Sequence, residues 1–297
     1  MSGKYQVRKV RRDGVSQRYW VNPSRDHDDA VTAVMIGDLA SADSRNEQEL
    51  ARQLLQNPSV QESLYRSLVR QYEKTMSNEL GPVWSLQNYL AHGYPEAESL
   101  LVRLATEPSD WNVRFAAIYT IATSDDPFAP RLLREITDKA TDDRTAGVAI
   151  DYLAHYLEDA MENLLSEGVT PAREAVLDAL ETLGIALQGK WFRPEGEIGF
   201  ILTALKYKRS EFEQAAQGQI PVHIEETLID GLVSVLASRD LPDEIFEKTL
   251  NVVKEWGSEY ALRKLRSLLS DALPQQRRVM VSNAINEIEQ RLKRKSG

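Results

Sequence analysis

The sequence has no cysteine. That excludes disulfide frameworks, thiol catalysis and cysteine-ligated zinc, and it suits a reducing cytoplasm. Long apolar runs are missing too: no stretch reaches the roughly 18 consecutive apolar residues of a membrane-spanning helix, and Met1–Arg8 lacks the apolar run of a secretory signal. There is no Gly-rich phosphate loop of the Walker or dinucleotide type and no Gly-x-Ser-x-Gly elbow. The expectation is a cytoplasmic protein with no membrane contact and no cofactor.

What is present is an ordinary core-forming balance, 42% hydrophobic and 27% charged over 297 residues, enough to bury one large core or two ordinary ones. The net charge of -9 is unevenly spread. Residues 1–25 carry seven Lys or Arg against one acid, and residues 263–297 carry nine against three. Each end is therefore +6 and the body between them is -21. Such asymmetry points to different partners for the ends and the body.

The chain repeats itself every 32 residues. Gly93–Leu104 recurs as Asp125–Ile136, aligning Ala97 with Ala129, Leu101 with Leu133 and Leu104 with Ile136. Gly257–Leu268 is a third copy, with Ala261, Leu265 and Leu268 in the same places. The i, i+4, i+7 spacing puts these residues on one helical face, and the small Ala lets a preceding helix approach. A partner helix repeats as well: Asp110–Ala122 matches Asp142–Ala154, aligning Ala117 with Ala149, Ile121 with Leu153 and Ala122 with Ala154. A further copy at Pro171–Gly184 is expected to open with Thr170 as N-cap and Pro171 as first helical residue.

These residues resemble the HEAT repeat, and in particular the short repeats of phycobilisome-lyase-like proteins, through the Asp-x-x-Val-Arg entry at Asp110–Arg114 and the Ala-x-x-x-Leu rhythm. The resemblance covers residues 80–185 and 240–295 and implies a mainly α fold of the armadillo-like kind, stacked helix pairs forming an α-solenoid. Further amphipathic pairs are expected over 46–57 with 59–76, where Leu50, Leu54, Leu64 and Leu68 form the apolar stripes, and over 223–238 with 243–256. The organisation read from the chain is a basic β-hairpin arm over 1–25, N-terminal helices over 26–79, HEAT-like repeats over 80–185, an irregular, loop-rich interruption over 186–222, and C-terminal HEAT-like helices with a basic tail over 223–297. The hairpin follows from alternation around Arg12-Asp13-Gly14.

No catalytic constellation emerges. Asp151, His155 and Glu158 share a helical face as a conceivable metal site, against the plainer reading of a solvated surface. Arg25–Asp29 holds a His-Asp pair like that of HD phosphohydrolases but no upstream histidine, and Asp26 or Asp28 is the better helix cap. Deoxyhypusine hydroxylase, a HEAT-repeat enzyme, uses His-Glu pairs that this chain lacks. Asp110, Trp111 and Arg114 invite comparison with HEAT-like DNA glycosylases, although the repeat itself places an Asp and an Arg there for pairing between neighbours. No metal and no catalytic residue is assigned.

The expected function is a non-catalytic scaffold that holds a basic protein or peptide partner on an acidic curved surface, with the helices starting near Pro95 and Pro127 lining it. The alternative is a nucleic-acid-associated protein. There Arg8, Lys9, Arg11, Arg12 and Arg18 contact phosphates beside Trp20 on the hairpin. The phycobilisome-lyase resemblance implies a third reading, a chromophore or modification helper.

Overall fold

A computed structural model describes residues 6–12, 15–21, 53, 56–74, 95–124, 128–190, 197–238, 240–270 and 273–296. The chain divides into two compact units, Met1–Thr141 and Asp142–Gly297, so the division runs through the expected 80–185 block.

In the first unit, strands β1 (Gln6–Arg12) and β2 (Val15–Val21) pair antiparallel. Helices α1 (Pro58–Lys74), α2 (Pro95–Thr106), α3 (Trp111–Ala122) and α4 (Ala129–Lys139) follow. Helix α3 packs against both α2 and α4, and these two also touch each other, so α2 and α4 lie as successive copies with α3 between them. The expected face positions account for this: Ala97, Leu101, Leu104, Ala129, Leu133 and Ile136 are all buried, as are Ala117 and Ile121 on α3. Deleting one such leucine side chain costs about 2–5 kcal/mol, so each repeat depends on its neighbour. Leu64 and Leu68 of α1 are buried as expected, while Leu50 and Leu54 lie outside the described residues.

The second unit holds α5 (Asp143–Glu167), α6 (Arg173–Ile185), α7 (Glu197–Ala204), α8 (Arg209–Ala215), α9 (Val222–Leu236), α10 (Asp243–Trp256), α11 (Glu259–Ser270) and α12 (Gln275–Ser296). Its C-terminal part is a stack of two helix pairs: α9 packs on α10, α11 on α12, α9 on α11 and α10 on α12. Ala261, Leu265 and Leu268 are buried on the inner face of that stack. Helices α6 and α9 cross closely where Gly184 meets the backbone of Leu228 and Gly231 meets the carbonyl of Gly184. Any side chain at either glycine would collide with main chain.

Two sequence expectations need correction. The stretch 186–222 is not mainly loop: residues 186–190 continue α6 as a π-helical turn, and α7 and α8 lie beyond. Both are short, so their apolar residues complete too few turns to show a period. Thr170 does not cap α6, which starts at Arg173 with extended Ala172 before it; Pro171 stays outside, its carbonyl accepting from Gln217 Nε2. The Asp-x-x-Val-Arg aspartate acts within its own helix. Asp110 accepts from the Asn112 N–H at 2.7 Å, and Asp142 from the Thr145 N–H at 3.0 Å, each satisfying a free donor at a helix start.

Candidate functional site

The hairpin residues Arg8, Lys9, Arg11, Arg12, Arg18 and Trp20 all belong to the paired strands. The register sets Arg8 opposite Tyr19, Lys9 opposite Arg18, Arg11 opposite Ser16, Arg12 opposite Val15 and Val7 opposite Trp20. One cationic position thus faces another across the ladder. Residues 22–52, which include the His27 motif, lie outside the described residues.

On α2 and α4, the helices expected to line an acidic groove, two of the carboxylates are paired. Glu98 pairs with Arg131 across the two helices, and Glu135 pairs with Lys139 at 2.7 Å. Arg103 joins Glu62 of α1 and Glu107, each at 2.7 Å, while its guanidinium lies 3.8 Å from the Tyr65 ring centre. These pairs knit neighbouring helices together. Trp111, Phe115 and Tyr119 run along α3 at one-turn spacing, with ring centres 6.0 and 6.2 Å apart, and Arg114 lies 5.6 Å from the Trp111 ring. Asp110 is occupied as a cap, so this group lacks a free carboxylate beside the tryptophan.

The Asp151, His155 and Glu158 face is likewise shared out. His155 Nδ1 lies 2.9 Å from the Asp151 carbonyl oxygen and its ring stacks near Phe200 at 5.2 Å. Glu158 is bound by Lys206 at 2.7 Å, with Glu162 3.6 Å from the same ammonium. Burial raises the Asp151 carboxyl above the usual carboxylate range, an effect that His155 opposes. Among the described residues no group of three or more His, Asp or Glu is placed to hold a metal ion.

Two surfaces of the second unit have more open chemistry. At the end of α5, Leu165 and Val169 are about half exposed around the left-handed turn at Gly168. The exposed carboxylates of Asp159, Glu162, Glu167 and Glu174 belong to the same helix end and the start of α6. An apolar step fringed by negative charge results.

The other surface is a pair of clefts that share Glu255. The first, about 310 Å³, lies between α7 and α10: Leu202 and Val252 are its buried apolar residues, and Lys206, Lys248, Asn251 and Glu255 surround them. Lys248 is paired one turn back with fully exposed Glu244 at 2.7 Å, which holds the Glu244 carboxyl below its usual range. The second cleft, about 470 Å³, is bounded by the start of α8, the α10–α11 turn and Arg291 of α12. Arg209 there is tied to Glu213 at 3.2 Å and to buried Glu225 at 2.9 Å. Arg291 donates to the Lys254 carbonyl and so closes the C-terminus of α10, where cationic charge is favoured. Trp256 lines this cleft, is fully buried, and its indole N–H has no hydrogen-bond partner. Apart from Arg291, which belongs to the basic tail, none of these residues was singled out from the sequence; the one legible signal was the run Lys206-Tyr207-Lys208-Arg209 inside an acidic body.

A family model described as HEAT repeats matches residues 80–154. The HEAT-repeat segment thus contains α2, α3, α4 and the first half of α5, the part in which the 32-residue copies were read. No curated protein matches the chain. Among solved structures, one described as the computational design of self-assembling cyclic protein homooligomers is 13% identical over 90% of this chain and 80% of that one, at a TM-score of 0.16. A de novo designed 16-helix transmembrane nanopore is 14% identical over 87% of this chain and 64% of that one, also at 0.16. Scores this low carry no information on the fold or role of this chain. No helix among the described residues is long and apolar enough to cross a membrane.

Proposed function

We propose that this protein is a non-catalytic scaffold or adaptor of the α-solenoid kind, acting in the cytoplasm, that holds a basic protein or peptide partner on an acidic surface of residues 142–297. HEAT repeats over 80–154 support the scaffold part, because stacked helix pairs present extended faces rather than reaction centres. The observation that carries the partner's chemistry is the pair of half-exposed apolar residues Leu165 and Val169, with exposed Glu167 between them in the chain. A protein contact would cover these two apolar side chains and keep the carboxylate at its rim. Residues 142–262 carry 23 acids and 10 bases, which favours a basic partner and makes its arrival salt-dependent. The surface in this reading sits at the α5–α6 turn rather than on α2 and α4, where Glu98 and Glu135 are already paired.

The test is affinity capture from the native cells with the full chain and with a Leu165→Ser/Glu167→Lys variant. Both positions are exposed, so the variant should fold normally. Loss of a specific basic partner with the variant supports the reading; identical capture by both chains contradicts it.

A second reading, nucleic-acid contact through the hairpin, is favoured by the Lys9–Arg18 register. Like charges at directly opposite positions disfavour pairing unless an anion lies against them, and phosphate is such an anion.

A further inference from the structure

Helices α5 and α8 both end in a left-handed turn, but the two turns are filled differently. At the end of α5 the left-handed position is Gly168, with a φ of 71°. At the end of α8 it is Gln217, with a φ of 52°, and among the described residues no other residue besides glycine has a positive φ. The Gln217 N–H donates to the Gln214 carbonyl at 3.0 Å and the Gly218 N–H to the Glu213 carbonyl at 2.9 Å. These are the paired bonds of a helix-closing turn that usually takes glycine where Gln217 stands. A side chain crowds the backbone there, so the glutamine is held against the local preference.

What the glutamine does is reach across to the α5–α6 connection. Its Nε2 donates to the Pro171 carbonyl at 3.3 Å, 46 residues away in sequence. Two residues further along, Arg173 donates back to the carbonyls of Ala216 and Gln219. The turn and the connection are thus fastened at two adjacent points. The fastened stretch is the one that carries Val169. Residues 169–172 belong to no helix, and Leu165 to Thr170 form the longest unbroken run of exposed residues among the described residues.

We infer that Gln217 is a positioning residue for the partner surface, its amide holding residues 169–172 in the arrangement that displays Val169. The inference rests on the scaffold reading and adds to it the α8–α9 turn as the support of that surface. Each residue that has to be ordered when a partner binds subtracts from the affinity. A bracket that orders the connection beforehand removes that loss. The strain at Gln217 then has a reason: a local preference is broken where a distant stretch must be held in place. A merely structural bracket would move stability, and binding only in step with it.

Two variants of the full chain separate these roles. Gln217→Gly relieves the left-handed strain and removes the amide, so it should melt at or above the parent. Gln217→Met keeps the strain and the length but has no N–H, so it should melt below the parent. Gln217 is exposed, and circular dichroism checks that both fold. The probes are peptides selected from a displayed random library on the immobilised full chain. Those kept are rich in Lys or Arg and lose binding in Leu165→Ser/Glu167→Lys. The expected result is that both variants weaken these peptides alike, by about threefold to tenfold in fluorescence anisotropy, the penalty of ordering about one residue. NMR order parameters of the Thr170 and Ala172 amides should fall in both variants. Unchanged affinities overturn the inference and leave the scaffold reading standing. So does a loss confined to the less stable Gln217→Met, or order parameters unmoved in both variants. If no enriched peptide depends on Leu165 and Glu167, the partner surface itself fails and the inference falls with it.

Discussion

Arg277, in the first turn of α12, places its Nη2 2.8 Å from Asp243 at the start of α10. The guanidinium is almost wholly buried, donates as well to the Leu241 carbonyl, and lies 4.8 Å from the Phe246 ring centre. Much of the basic charge of residues 263–297 is spent in this way. Lys264 pairs with Asp230, Arg266 with Glu289, and Arg291 closes the end of α10. Three of the nine C-terminal cations, Lys264, Arg277 and Arg291, thus clasp the helices before them.

Replacing Arg277 should therefore cost stability rather than binding. Arg277→Ala leaves the Leu241 carbonyl without its donor and removes the guanidinium from Phe246, a loss of about 2–3 kcal/mol in urea unfolding. Asp243→Asn should cost under about 1 kcal/mol, because Asp243 is largely exposed. Arg277→Lys should recover only part of the loss, since an ammonium lacks the planar fork. Equal effects of Arg277→Ala and Asp243→Asn would show that the pair, not the carbonyl bond, holds α12.

The α6–α9 crossing gives a sharper test of packing. A Cβ on Gly231 would lie 2.4 Å from the Gly184 carbonyl oxygen, and one on Gly184 2.9 Å from the Leu228 backbone. Main chain cannot give way cheaply, so Gly231→Ala and Gly184→Ala should each destabilise by about 1–3 kcal/mol or more. Gly199, inside α7, has nothing within 4 Å of its Cβ position, so Gly199→Ala should instead stabilise by about 0.5–1 kcal/mol. Thermal melts of the three variants read the opposite signs directly.

Asp151 predicts a pH dependence. Burial raises its carboxyl above the usual range, and its Oδ1 has no hydrogen-bond partner. The folded chain therefore keeps the proton at pH values where the unfolded chain has released it. Stability from this group is greatest in acid and falls as pH rises through the carboxylate range. Asp151→Asn removes that fall, so the variant should melt a little higher than the parent at neutral pH, with the advantage vanishing in acid. An advantage that grew in acid would contradict the sign.

For the hairpin, binding of short labelled DNA and RNA should be compared between the full chain and one lacking residues 1–25. If about four phosphates are neutralised, affinity should fall roughly a hundredfold between 50 and 200 mM salt, and truncation should remove it. Absence of binding at low salt would dispose of the nucleic-acid reading.

Much of the packing was legible in advance. The 32-residue copies placed Ala97, Ala129 and Ala261 with their leucines on buried faces, because a helix that must stack on its neighbour shows its period in sequence. Helices α9 and α10 were expected within two residues of their ends for the same reason. Helices α7 and α8 were missed, being only 8 and 7 residues long. The two clefts of the second unit were not legible at all. Leu202, Lys248 and Arg291 come from three distant segments, and only the stacking of α7, α10 and α12 brings them to one surface. The pairing on α2 and α4 was not legible either: a count of carboxylates does not show that Glu98 and Glu135 have cations against them.

The most direct test of the scaffold role is chemical cross-linking in the native cells, followed by mass spectrometry of the captured chain. Lys206, Lys248, Lys254 and Lys264 provide reactive amines across the second unit. The account predicts cross-links from this unit to a specific protein, lost together with Leu165→Ser/Glu167→Lys. Recovery of the chain with no protein cross-linked to residues 142–297 would contradict it.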